Sequence, residues 1–226
     1  MRIYSTTLAL WLLGSIRPSE SHMEMYSPAP LRSKFNPYTH DIDYSMTSPL
    51  LTDGSNFPCK NYQSLLYTPA GTPVATLKGG NSYSVTITGE ATHAGGSCQT
   101  SLSVDGGMTF RVLHSFIGNC PPNPGYSDFN FRVPIDVPPK DRALLAWTWF
   151  NKLGDREMYM NCASVATEPG EGSAEDFVNR PLIFVANVGN DCMTLESTDV
   201  LLPNPGFNVD YNSEKAVPPV GNCAVG

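Results

Sequence analysis

Twenty prolines and nineteen glycines interrupt this 226-residue chain so often that little room is left for a long uninterrupted helix. The runs between them are short, and several alternate polar and apolar residues, as half-buried strands do. We therefore predict an all-β fold, an immunoglobulin/fibronectin-like β-sandwich with long connecting loops and short helical turns.

The predicted strands differ in character along the chain. Residues 82–88 alternate polar and apolar side chains, and residues 101–105 run into a tight turn at two glycines. An apolar, aromatic pair of segments predicts a hairpin through the core, with Trp147 and Trp149 as core residues. The predicted strands cover residues 82–88, 101–105, 131–137, 142–150, 157–165 and 182–188.

The first 21 residues have the layout of a secretory signal peptide. Arg2 precedes an apolar stretch over residues 8–16, and a small residue, Ser21, ends the segment. The apolar stretch is too short to span a bilayer. We predict a signal peptide over residues 1–21, then a single domain over 22–226 with no appended carbohydrate-binding module.

All six cysteines follow the predicted signal peptide, and an even number in an exported chain predicts three disulfides. The sequence leaves their pairing open. No Cys-x-x-Cys spacing occurs, which argues against a zinc ribbon or a thioredoxin-type centre. The net charge of −7 makes nucleic acid and anionic membranes poor partners and favours a neutral partner such as a glycan.

Cleavage after Ser21 would make His22 the first residue of the mature chain. A terminal histidine offers its α-amino group and its imidazole to one metal ion; if cleavage falls one or two residues away, His22 is an ordinary residue. His93 is the best second ligand, because it follows a strong strand on a turn compacted by glycines. His114 is expected to pack at a strand edge, and His40 to be solvated in a polar loop.

Alternation in the predicted strand 157–165 places Glu157 and Tyr159 on the same face. A carboxylate and a phenol in this arrangement could reach a metal site together. For an isolated Glu-Met-Tyr the simpler interpretation is a buried tyrosine with a satisfied hydroxyl beside an exposed glutamate.

Several spaced segments together resemble the fungal lytic polysaccharide monooxygenases of auxiliary activity family 11. The resemblance runs from His22 to about Gly206, with departures at Ala94, where a third glycine is expected after the histidine, and at Asp155, where asparagine is more usual. Besides His22, it rests on residues 54–60, 91–99, 156–162 and 180–187.

The resemblance implies one copper ion held by the amino and ring nitrogens of His22 and by the ring of His93. Three nitrogens of this kind suit tetragonal Cu(II). The family also implies Tyr159 in the axial direction and Ala91 near the opposite axial side. Glu157 is then placed to hydrogen-bond a bound oxygen species or water.

The resemblance further implies an enzyme that oxidatively cleaves glycosidic bonds in a crystalline polysaccharide. The signal peptide predicts a secreted, extracellular protein, and we expect a monomer. Chitin is the substrate that the family implies, O₂ or H₂O₂ the co-substrate, and an external electron donor the reductant. Two other classes stay open: a copper-binding protein without oxidative activity, and a glycoside hydrolase or plain binding module that uses Asp128, Asp136 or Glu157.

We also predict which cysteines pair. One bridge would close the loop behind His93, a second would tie the first loop to the Tyr159 strand, and a third would clip the carboxyl-terminal tail. The predicted disulfides are Cys59–Cys162, Cys98–Cys120 and Cys192–Cys223.

Overall fold

The computed structural model of the chain describes residues 22–171 and 175–223. Almost all of its regular structure is β-strand, as predicted. The strands are β1 (Met23–Ser27), β2 (Ala75–Lys78), β3 (Ser82–Gly89), β4 (Gly96–Ser103), β5 (Arg111–Ile117), β6 (Gly125–Arg132), β7 (Lys140–Asn151), β8 (Tyr159–Glu168), β9 (Cys192–Met193), β10 (Asp199–Val200), β11 (Val209–Tyr211), β12 (Ala216–Val217) and β13 (Val220–Gly221). The described helical segments are 3-10 turns at Cys59–Leu65 and Pro69–Gly71 and a single α-helical turn, α1 (Glu175–Val178).

Two sheets form a sandwich. The smaller sheet has the order β1-β3-β6 and is antiparallel, and the larger has the order β11-β5-β4-β7-β8-β2. In the larger sheet β11 and β2 pair in parallel with β5 and β8, whereas the strands between them are antiparallel. The predicted β-sandwich with long loops is therefore confirmed.

The main apolar core lies between the two sheets. Met23 and Met25 of β1 point into it from the small sheet, and Trp147 and Trp149 of β7 enter from the large sheet, all fully buried. The two tryptophans are core residues, as predicted. The opposite face of the large sheet packs against the loops in a second apolar cluster, which includes Met160.

Three disulfides cross-link the chain, two of them to strands of the larger sheet. They are Cys59–Cys162, Cys98–Cys120 and Cys192–Cys223, the pairs expected from the sequence. The first ties the loop before β2 to β8, the second joins β4 to the turn after β5, and the third holds the tail beside β9.

Two predicted strands are wrong. The strand expected at 131–137 is β6, which ends at Arg132 because prolines at 134 and 138 cannot donate to a ladder. Residues 182–188 form only an isolated bridge, between Leu182 and Arg111. The Phe184 N–H donates to the side-chain carbonyl of Gln99, so backbone pairing with β5 does not continue past that bridge.

Strand register brings several chain positions to one end of the sandwich. Met23 pairs with Gly89, Gly96 pairs with Asn151, and Trp149 pairs with Tyr159. The starts of β1, β4 and β8 therefore meet the ends of β3 and β7, and every predicted metal-site residue lies near this end. Among the described residues, no helix is long and apolar enough to cross a membrane.

Candidate metal centre

His22 is the residue directly before β1, and its position depends on a glycine in the neighbouring strand. At Gly89 the φ is +152°, and a Cβ there would lie 2.3 Å from the His22 carbonyl oxygen. Any side chain at 89 would therefore push the start of β1 away from β3. Glycine lets the first described residue sit tightly against the sheet.

His93 lies on the turn between β3 and β4. The His93 carbonyl accepts a hydrogen bond from the Leu153 N–H at 3.0 Å, and the Gly95 carbonyl accepts one from the Lys152 N–H at 3.1 Å. The indole N–H of Trp149 donates to the same Gly95 carbonyl at 3.2 Å. These hydrogen bonds fix the turn to the β7–β8 hairpin. A metal ligand needs rigid support of this kind.

The structure brings three predicted residues together. Ligand atoms of His22, His93 and Glu157 all lie within 4.8 Å of one another. The two imidazole rings are nearly parallel, with centroids 5.5 Å apart and 17° between their planes. His93 Nε2 is buried and has no hydrogen-bond partner. A buried ring nitrogen normally has a hydrogen-bond partner, so one without a partner points to a ligand.

Tyr159 and Glu157 form the side of the cluster that comes from β8. The Tyr159 hydroxyl donates to Glu157 Oε2 at 2.6 Å, and the Tyr159 ring lies 5.7 Å from that of His22. The simpler interpretation of this pair is correct for the tyrosine, which is buried with a satisfied hydroxyl. It is wrong for the glutamate, because Glu157 is half-buried and lies among the possible metal ligands.

Electrostatics favour the protonation states that a metal site needs. Burial lowers the pKa of the His22 imidazole; Glu157 opposes this effect, and His93 and Lys60 add to it. The ring is therefore neutral at pH 7 and free to bind a metal. Burial, followed by the hydrogen bond to Glu157, raises the pKa of Tyr159, so its hydroxyl stays protonated.

Sequence reasoning missed Gly154 as a site residue. Its φ is +96°, and a Cβ at this position would lie 3.3 Å from His93 Nδ1. The glycine lets the β7–β8 turn close over the imidazole. The signal for it was the sequence Leu153-Gly154-Asp155 inside the predicted hairpin, which marks a tight turn but not what the turn touches.

The remaining candidates lie elsewhere or show no contact with the cluster. His40 is exposed in a loop, and His114 stacks on Phe116 in β5 with its Nε2 3.3 Å from an Asp210 carboxylate oxygen. Ala91 is half-buried in the β3–β4 turn, two residues before His93.

The two other acids proposed for a hydrolase do not join Glu157. Asp128 is exposed on β6, where it accepts a hydrogen bond from the Thr86 hydroxyl. Asp136 lies beyond Arg132, the β6 residue that pairs with Ser82 at the end of the sandwich away from the metal cluster.

Comparisons with known proteins agree on one family. An AA11 family lytic polysaccharide monooxygenase A from Aspergillus fumigatus is 51% identical over 187 residues, covering 80% of this chain and 81% of that protein. An AA11 family lytic polysaccharide monooxygenase B from the same species is 34% identical over 249 residues, covering 97% and 56%. An AA11 family lytic polysaccharide monooxygenase from Aspergillus oryzae is 38% identical over 235 residues, covering 92% and 52%.

The chain thus spans about half the length of the last two relatives. No protein-family model matches it. Among solved structures, the crystal structure of HiLPMO9B is similar with a TM-score of 0.43 and 17% identity, covering 80% of this chain and 84% of that one. Identity of 51% over most of both sequences shows that this chain belongs to the AA11 family of lytic polysaccharide monooxygenases, which are copper-dependent oxidoreductases.

Proposed function

We propose that the mature chain begins at His22 and holds one copper ion through three nitrogen atoms: the amino group and ring of His22, and the ring of His93. The observation that carries this proposal is the buried, unpartnered Nε2 of His93, which lies in a cluster where the ligand atoms fall within 4.8 Å of one another. Residues 1–21, which lie outside the described residues, would be removed as a secretory signal peptide.

The donor set fits copper. Imidazole nitrogens suit this metal, and copper binds most tightly of the divalent first-row ions. Two histidines and a carboxylate also form a common set of zinc ligands, so the choice of metal depends on whether Glu157 is a ligand. Its Oε2 already accepts the Tyr159 hydroxyl at 2.6 Å. The free amino group of His22 would then supply the third donor in place of the carboxylate.

The protein's own groups prepare the site for this ion. The lowered pKa of His22 keeps its ring neutral, and the raised pKa of Tyr159 keeps a protonated phenol beside the cluster. Glu157 holds the phenol in place and can accept or return a proton at its carboxylate. When bound, copper supplies the one-electron chemistry with a reductant and O₂ or H₂O₂ that no side chain here can provide.

We propose chitin as the substrate and the extracellular space as the location. The family acts on polysaccharide, and the cluster lies at one end of the sandwich, where an insoluble polymer can reach it. An acidic chain with net charge −7 suits a neutral polymer better than an anionic one. An external electron donor would serve the site, and the protein would act as a monomer.

The test is incubation of the copper-loaded mature protein with β-chitin and ascorbate, followed by mass spectrometry of the soluble products. Oxidised chito-oligosaccharides are expected, and they should be absent without ascorbate. His93→Ala, which removes one proposed ligand, should also abolish them. Because His93 is half-buried on a turn, thermal melting of the variant checks that it folds.

Two results would contradict the proposal. A preparation that carries one copper per chain but yields no oxidised products from β-chitin would remove chitin as the substrate and favour a copper-binding role. Cleavage that persists with a strong chelator would instead indicate hydrolysis by carboxylates.

A further inference from the structure

A pocket of about 310 Å³ opens directly beside His22, which forms part of its wall. Two tyrosines also line it, and both present most of their surface to solvent: Tyr44 is 85% exposed and Tyr126 is 66% exposed. Neither takes part in the metal cluster. An exposed apolar surface rimmed by polar residues often marks a ligand-binding site.

Tyr126 is held rigidly by its neighbours in the small sheet. On β6 it pairs with Thr88 of β3, which in turn pairs with Glu24 of β1. All three line the pocket on the face of the sheet turned away from the core. Tyr26 packs edge-on against the Tyr126 ring with centroids 5.0 Å apart, and Phe35 packs against Tyr26 at 4.7 Å. The ring therefore has a fixed orientation.

Tyr44 is held by a buried lysine. The Lys60 ammonium donates to the Ser45 carbonyl at 2.5 Å and lies 3.5 Å from the Asp43 carboxylate. It therefore binds the residues on both sides of Tyr44. The Ser45 N–H also donates to Asp43 Oδ1 at 2.8 Å. Lys60 itself is only 8% exposed. The turn that carries Tyr44 is thus anchored, whereas its ring is free.

We propose that Tyr44 and Tyr126 form a pyranose-binding subsite of the polysaccharide on the His22 side of the metal centre. The inference deepens the proposed function and rests on it. The apolar faces of a pyranose ring can pack on an aromatic ring, and a tyrosine side chain loses little conformational entropy on binding because it has only two χ angles. The pocket has the size of a small-ligand site, about 300 Å³ or more. Its shared wall with His22 places a bound sugar next to the proposed copper.

Lys60 acts in this arrangement as a positioning residue. It contacts the backbone that carries Tyr44 and not the pocket itself, since it is not among the residues that line it. Replacement by methionine keeps the length of the side chain but releases the turn. Such a variant should weaken polysaccharide binding mainly through Tyr44, so most of its effect should vanish when Tyr44 is already alanine.

The experiment measures equilibrium binding of the copper-loaded mature protein to β-chitin without reductant, so that no turnover occurs. Tyr44→Ala and Tyr126→Ala are each expected to raise the Kd about fivefold or more, the loss typical of an aromatic anchor. Tyr44→Phe and Tyr126→Phe keep the ring and should bind within about twofold of the parent protein. Copper affinity should be unchanged in all four variants.

Tyr67→Ala is the matched control. Tyr67 is 73% exposed but lies near the start of β7, because the Arg142 guanidinium donates to the carbonyls of its neighbours Leu66 and Thr68. Arg142 precedes Asn151, at the metal end of β7, by nine positions, which span about 30 Å in an extended strand. This variant should bind β-chitin as the parent does.

Several outcomes would overturn the subsite. One is parental binding by both alanine variants, and another is an equal loss in the Phe variants, which would indicate hydroxyl hydrogen bonding instead of ring packing. A loss in Tyr67→Ala as large as in the others would indicate nonspecific surface binding. A parent protein that binds β-chitin through these tyrosines but forms no oxidised products would overturn the proposed function and leave the subsite standing.

Discussion

Loss of the Cys98–Cys120 disulfide should weaken both the fold and the metal site. The bridge spans 22 residues and holds β4 against the turn that follows β5. The Cys120 N–H donates to the Gly96 carbonyl at 3.2 Å, immediately beyond the turn that carries His93. We expect the double variant Cys98→Ala/Cys120→Ala to remain folded with a less fixed His93 turn.

The magnitude follows from loop length. Closing a loop of 22 residues in the unfolded chain is worth about 3.4 kcal/mol, and the Cys192–Cys223 loop of 31 residues gives nearly the same figure, about 3.7 kcal/mol. The double variant Cys192→Ala/Cys223→Ala is therefore a matched control, since it loses similar stability at the tail. Only removal of Cys98–Cys120 should also weaken copper binding, by about tenfold, as for other groups that orient a metal ligand.

The assay is equilibrium unfolding in urea of the copper-free proteins, because bound copper would add its own binding free energy to the native state. Copper affinity is measured separately by titration. A cost of less than about 1 kcal/mol on removal of Cys98–Cys120, well below the loop-entropy figure, would show that the bridge does not stabilise the fold by closing this loop. Equal copper affinity in the two double variants would show that the Cys98–Cys120 bridge does not help to orient His93 for copper binding.

Three further predictions concern single residues. Ala94→Gly should raise the free energy of unfolding by about 0.5–1 kcal/mol, because Ala94 is exposed and its φ of +58° suits glycine better. Gly154→Ala should lower it by about 1–2 kcal/mol and weaken copper binding, because the φ of +96° is unfavourable and the new Cβ would crowd His93. Burial raises the pKa of Asp43, but its hydrogen bonds and the Lys60 ammonium outweigh burial and leave the pKa below its ordinary value. The Asp43 carboxylate therefore stabilises the fold above its unfolded pKa of about 4, and this stabilisation is lost as the pH falls through the folded pKa.

Urea unfolding of each variant checks the first two predictions, and unfolding between acidic and neutral pH checks the third. A less stable Ala94→Gly variant would show that the turn carries no strain. Unchanged copper affinity in Gly154→Ala would show that the imidazole has room to move. An Asp43→Asn variant with the same acid dependence as the parent would show that other carboxylates dominate.

The hairpin of β7 and β8 could be predicted because its two segments are long, apolar and aromatic and a short polar turn separates them, so local pattern and tertiary packing agree. The predicted strand at 182–188 failed because Gln99, far away in sequence, takes up the Phe184 N–H. Pairing of this kind depends on the tertiary structure, which periodicity does not report.

The residues of the candidate metal centre could be predicted from the sequence, but the contacts that hold them in place could not. His22 stands out because it follows the predicted cleavage site, and His93 stands out because two glycines follow it closely in the turn. The close approach of Gly154 to His93, and the hold of Lys60 on the turn around Tyr44, arise from segments that are distant in sequence. A single sequence gives no signal for such approaches, because each residue is unremarkable within its own segment.

The central claim is that copper needs the free amino group of His22. The most direct test is a Cu(II) titration, followed by electron paramagnetic resonance, of the mature chain and of the same chain with one glycine added before His22. We predict that the mature chain binds one copper tightly with three nitrogen donors, and that the extended chain binds it more weakly with an altered spectrum. Equal affinity and identical spectra in the two chains would contradict the account.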